Sequence, residues 1–199
     1  MRATATKPEP QRDAMVDSYN SRKAAQIAAY FAKSEGGEIN VLKLVKLIYL
    51  ADRKFLADFD MSMLNDDLVS MEHGPVNSKT LNRINGFVRN ADDDWNAYVT
   101  DRENHFVALT KSDISDGDLK ELSRAELRVL KETWDTFGHM TQWELVDYTH
   151  HNCQEWEDPK GSSSPIPYER LFKALGKSEA SKLDRSVALD RNLVSALRD

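Results

Sequence analysis

Nine residues restrict what this chain can become more than any others. Lys43-Leu44-Val45-Lys46-Leu47-Ile48-Tyr49-Leu50-Ala51 reads as a helix apolar on almost every side, and such a helix has to lie inside a helical core. Yet Lys43 and Lys46 stand three positions apart and so on one face, which Arg53 extends seven residues beyond Lys46. The long basic side chains either snorkel their heads to the edge of the core or meet a negative group. That group would be an acidic groove or peptide of a partner, or a buried carboxylate that fixes a functional loop of the chain itself.

Further along, His73-Gly74-Pro75-Val76 forms a corner. Glycine permits unusual backbone angles and proline fixes φ, so His73 and Val76 are held rigidly. The corner reads as a tight connection between helices, and a constrained connection can also present a binding surface.

Start and stop signals organise the remainder. Residues 1 to about 17 hold Pro8 and Pro10 among polar residues and read as a disordered lead-in. A first helix from Asn20 or Ser21 to Ser34 carries Ala24, Ile27, Ala28 and Phe31 on one face, and Gly36-Gly37 ends it. Asn40 caps the lysine-bearing helix, which runs to Phe55 or Asp58. A loop follows with Met61, Met63 and Asp66-Asp67, whose acids, like Asp92-Asp93-Asp94, read as solvated. Asn77 or Ser78 caps a short helix to Ile84. The runs Trp95 to Thr100 and His105 to Thr110 predict a small antiparallel hairpin. Two capping boxes, Ser123 to Glu126 and Thr141 to Glu144, open helices ending at Gly138 and near Asn152. Pro167 opens a helix to Leu175, and Ser178 to Leu197 reads as a last, amphipathic helix.

The fold class is therefore mainly α: a compact multi-helix domain with one small antiparallel β-hairpin. Its divisions are a lead-in over 1–17, a helical domain over 18–176 and the amphipathic helix over 177–199. With 40% hydrophobic residues in 199, a sizeable core is within reach. A formal net charge of -6 disfavours nucleic acid as the main partner, since phosphate binding needs clustered Lys and Arg. The same charge suits a basic protein partner. No stretch approaches the roughly 18–20 apolar residues that span a bilayer, and the N-terminus lacks an apolar signal core, so a cytoplasmic, membrane-free protein is expected. Cys153 is the only cysteine, which excludes an intrachain disulfide.

Catalytic signals are weak. His150 and Cys153 share a helical face while His151 points elsewhere, and a closed zinc site would need a second ligand pair that the chain lacks. His150 lies on the face of Trp143 and Val146, which suits a hydrogen-bonded core or boundary histidine. No oxyanion hole, phosphate-binding loop or dinucleotide fingerprint accompanies the thiol and imidazole. No enzyme, metal or cofactor is expected. On the last helix, Leu183, Val187, Val194 and Leu197 form one stripe and Leu189 with Leu193 an adjoining one. It either folds back on its own bundle or lays an apolar face into a partner.

The residues Lys43, Leu44, Lys46, Leu47, Tyr49 and Ala51, then Gly74-Pro75-Val76, then Glu144-Leu145 with Thr149-His150 and Trp156, resemble the Panacea domain of SocA-like antitoxins. That family shows K-L-x-K-L-x-Y-x-A followed by a G-P corner, and the order and spacing fit from about residue 20 to 175. The resemblance implies a bacterial or phage antitoxin of a type II toxin–antitoxin system that binds and neutralises a cognate protein toxin. It also allows an adaptor that delivers the toxin to a ClpXP-type protease. A phage-associated enzyme using His150 and Cys153 is the third alternative. The family carries over no catalytic set. Lys43, Lys46, Arg53, His73 and Leu193 are the candidate toxin contacts. Leu44, Leu47, Tyr49, Gly74, Pro75, Val76, His150 and Trp156 form the structural motif. Charge reversal at Arg53 and Leu193→Asp are expected to weaken toxin binding without unfolding the domain.

Overall fold

A computed structural model of the chain describes residues 18–88 and 94–197. The lead-in over 1–17 and the acidic pair Asp92-Asp93 lie outside the described residues.

Helix α1 (Ser21–Glu35) starts where the Asn20 side chain accepts from Lys23 N, and ends at Gly36 in the left-handed region. Strand β1 (Glu38–Asn40) leads into α2 (Val41–Phe59), where Asn40 Oδ1 accepts from the amides of Leu42 and Lys43. Leu44, Leu47, Ile48, Tyr49 and Ala51 lose essentially all solvent contact, as an all-round apolar helix must. Helix α2 is the hub. It packs against α1, α4 (Arg124–Phe137), α5 (Gln142–Asn152) and strand β3 (Gly74–Asn77). Both capping boxes form, at Ser123 with Glu126 and at Thr141 with Glu144. Helices α3 (Ser78–Ile84), α6 (Tyr168–Ala174) and α7 (Ala180–Ala196) complete the helical set among the described residues, and α7 lies on α6. The architecture is mainly α with two small antiparallel sheets.

Three expectations change. The Gly74-Pro75 corner is not a link between helices. It opens β3, which pairs with β2 (Leu68–Met71) in the register Val69↔Val76 and Ser70↔Pro75. A two-residue strand, β5 (Ser164–Pro165), adds to the far side of β2. Proline fits because β3 is an edge strand and needs no donor on its open side. The turn of this hairpin is Glu72-His73, which sets His73 at the surface.

The expected hairpin over 95–110 forms only in part. Asp94–Ala97 is a 3-10 turn that buries Trp95 against α1, leaving two isolated bridges, Val99↔Leu109 and Glu103↔Phe106. The second limb, β4 (Phe106–Ala108), pairs instead with β1 in the register Ile39↔Val107.

Asp66 is buried rather than solvated. Its carboxylate accepts from Lys79 N, Thr80 N and the Thr80 hydroxyl, so it caps α3 from outside the helix. Asn77 makes no side-chain cap and turns its amide to Asp52 Oδ2 at 3.0 Å. Asp67 lies at the surface beside Arg191, at 2.6 Å, and Lys79, at 3.3 Å.

Candidate functional site

The three motifs separated in sequence converge on one feature, the β2–β3 hairpin clamped between α2 and α5. Lys46 has no exposed surface, and its Nζ donates to the Pro75 carbonyl at 2.9 Å. Gly74 adopts φ +94°, and a Cβ there would stand 2.6 Å from Thr149 Oγ1 and 3.1 Å from Lys46 Nζ. Glycine is thus required twice, by its backbone angle and by the close approach of two helices. From the other side, Trp156 Nε1 donates to Met71 O at 2.9 Å, and His150 stacks on the Trp156 ring with centroids 4.1 Å apart. The lysine, the glycine, the proline, the histidine and the tryptophan are parts of one latch.

Lower on the same face of α2, Arg53 and Tyr49 meet Glu155. Glu155 Oε1 accepts from Tyr49 Oη at 2.6 Å and from Arg53 Nε at 2.7 Å, while Arg53 Nη2 reaches Oε2 at 3.2 Å. Glu155 is fully buried. Of the two readings open for the cationic stripe, the buried carboxylate is what Arg53 meets. Glu155 itself was not legible, since one acid before a tryptophan carries no periodic signal. The only hint was that a cation on a buried helix needs a partner.

Lys43 goes another way. Its ammonium reaches Glu35 at 2.6 Å, donates to Gly138 O at 2.8 Å and lies 5.3 Å from the Trp134 ring centre. It thereby covers the C-terminal end of α4, where a cation is favoured by the helix dipole. Among the described residues no carboxylate pairs with Lys46. Burial pushes its amine down to about 7, so its charged and neutral forms are both populated near neutral pH.

The thiol–imidazole pair gains no catalytic geometry. Cys153 is 1% exposed, and burial together with the nearby Glu155 carboxylate pushes its thiol up to about 12. A thiol held so far from ionisation is a poor nucleophile. His150 titrates below its ordinary range because of burial and the neighbouring Lys46 amine, and its Nε2 has no hydrogen-bond partner among the described residues. His151 turns away, with Nδ1 2.7 Å from Asp147 O. Among the described residues no group of three or more His, Cys, Asp or Glu is arranged to hold a metal ion.

Outside the latch, a groove of about 610 Å³ opens between the hairpin turn, the start of α2, the loop before β4 and the start of α5. Val41, Leu42, Val45 and Val76 line it, and Lys46 lies among the lining residues. His73 meets Trp143 edge to face at its rim, with ring centres 5.5 Å apart. Trp143 is 55% exposed and Phe106 42%, which is unusual for large aromatic side chains.

Of the candidate contacts, then, His73 is exposed on this rim and Lys46 lies behind it. Lys43 is buried at the neighbouring end of α4, and Arg53 is half-buried on Glu155. Charge reversal at Arg53 would set two carboxylates face to face, so it tests the fold rather than a surface. Leu193 stands apart on α7. There Val187 is buried and Leu183 packs on the core, whereas Leu189, Leu193 and Leu197 are 63%, 62% and 86% exposed. The helix thus folds back through Leu183 and Val187 and leaves its other leucines exposed.

No helix among the described residues is long and apolar enough to cross a membrane. No curated protein and no solved structure matches the chain. The family model described as antitoxin SocA-like, Panacea domain matches residues 44–157, a span that holds the latch, the Glu155 ion pair and most of the groove. That span is more than half of the 199 residues, and the chain belongs to the antitoxin SocA-like, Panacea domain family.

Proposed function

We propose that this protein is the antitoxin of a type II toxin–antitoxin pair and neutralises a cognate protein toxin by binding it directly. The observation that carries the reading is the family match over residues 44–157, within which the motif residues build a rigid hairpin beside an open, aromatic-rimmed groove. Exposed aromatics around an apolar floor are the kind of side chains that supply most of the affinity in protein interfaces. His73 on the hairpin and Leu193 on α7 are the exposed contacts of this proposal; Lys46 holds the hairpin from behind through the Pro75 carbonyl, while Lys43 and Arg53 tie α2 to Glu35, Gly138 and Glu155. The work is steric and electrostatic, with no bond made or broken, and takes place in the cytoplasm of a bacterial or phage-infected cell.

Co-expression tests it. The product of the gene adjoining this one should arrest growth alone and be harmless when this chain is present. Continued arrest in the presence of the folded chain contradicts the reading. Toxin that disappears only when an unfoldase–protease is active would replace neutralisation by delivery to a ClpXP-type protease.

A further inference from the structure

Resting on the antitoxin reading, we infer that the groove beside His73 docks an extended segment of the toxin in which an apolar side chain stands next to a carboxylate. The apolar side chain sits on Val41, Leu42 and Val76, and the carboxylate meets Arg102.

Charge is the first argument. The chain as a whole is acidic, at -6 with histidines neutral, whereas the groove lining holds Arg102 and the buried Lys46 amine against one carboxylate, Glu72. Among the described residues Arg102 directs its donors to neutral acceptors: Asn104 O at 2.7 Å, Asn85 Oδ1 at 2.9 Å and His105 Nδ1 at 3.2 Å. Its charge is therefore positioned without an ion-pair partner among the described residues, and it is exposed. Lys46, beneath, has the Pro75 carbonyl as its hydrogen-bond acceptor. A partner carboxylate gives Arg102 a charged acceptor, an attraction that screening confines to the groove itself.

Shape is the second. The groove runs on into an adjoining cleft of about 410 Å³ that shares Asn40, Phe106 and Gln142 with it. A depression that passes from an apolar floor at Val41, Leu42 and Val76 to a polar cleft at Glu35, Glu38 and Thr141, with exposed Trp143 and Phe106 beside it, suits a stretch of polypeptide better than a compact small molecule, which is held best in an enclosing pocket.

Random linear peptides displayed on phage and selected on the immobilised full chain read the groove with no toxin present. The recovered peptides should pair Leu, Phe or Trp with a neighbouring Asp or Glu. Titration should show them weakened about tenfold or more by Arg102→Glu, and likewise by Trp143→Ala and Phe106→Ser. Selection repeated on the Arg102→Glu protein should exchange the acids for Lys or Arg. Thermal unfolding identifies any variant that fails to fold, and the remaining ones decide. Absence of selected peptides, peptides without acids, or affinities unchanged in the folded variants would overturn the inference. So would binding of dodecanoate, seen as shifts of the Trp143 indole signal, in the absence of peptide binding. None of these results bears on whether cells are rescued from a toxin, so failure of the groove and failure of the antitoxin reading stay distinguishable.

Discussion

One oxygen of Glu155 accepts both the Tyr49 hydroxyl, at 2.6 Å, and the Arg53 Nε–H, at 2.7 Å, and so binds the middle of α2 to the segment that follows α5. Because Glu155 is wholly buried, removing the carboxylate leaves a guanidinium and a phenol without their acceptor. Glu155→Ala should cost about 3 kcal/mol in denaturant unfolding, and Tyr49→Phe about 1 kcal/mol. Arg53→Glu should cost at least as much as Glu155→Ala. Equal stability of Glu155→Ala and the wild type would contradict this assignment.

Gly74→Ala should destabilise the fold by about 2–3 kcal/mol, since φ +94° disfavours any side chain and the new methyl group meets Thr149 Oγ1. Thr149→Ala combined with it should recover the part due to the clash and leave the part due to the backbone. Full additivity of the two losses in a double-mutant cycle would contradict the contact.

Lys46 makes a signed prediction about pH. Its folded amine titrates at about 7, below the ordinary 10.5, so between these values the unfolded chain holds a proton that the native chain lacks. Stability from this group is fully present above 10.5 and is lost as pH falls to 7, on the order of 3–5 kcal/mol over the window, and is constant below it. Lys46→Met should remove that slope. Its stability relative to wild type should therefore fall as pH is raised from 7 to 10, and parallel curves would contradict the assignment.

The two stripes of α7 should separate binding from folding. Val187→Asp places a charge at a 2% exposed position and should cost about 3 kcal/mol or more. Leu193→Asp, at a 62% exposed position, should change thermal stability little while weakening the toxin complex. Unchanged toxin affinity with Leu193→Asp would remove α7 from the proposed surface.

Much of the helical frame was legible because its signals are local. Asn20, Asn40, Ser123 and Thr141 each bond the backbone amides that their positions predict. What escaped depends on distant partners. Asp66 caps α3 from a loop, where sequence pointed to Asn77 or Ser78, and the pairing of β1 with β4 joins two three-residue strands far apart in the chain. Gly74-Pro75 reads as a turn because both residues are turn formers, and only the edge position of β3 makes them a strand. The burial of α2 was plain from its composition. Its cations were not traceable, because Glu35, Glu155 and the Pro75 and Gly138 carbonyls come from four other segments.

The most direct test of the central claim is to purify the complex of this chain with its toxin, separate the two, and measure the toxin's intact mass and activity. Neutralisation by binding predicts a stable complex, from which toxin of unchanged mass is released and regains full activity. A toxin that remains inactive with an altered mass, or the absence of any complex while cells are still rescued, would contradict it.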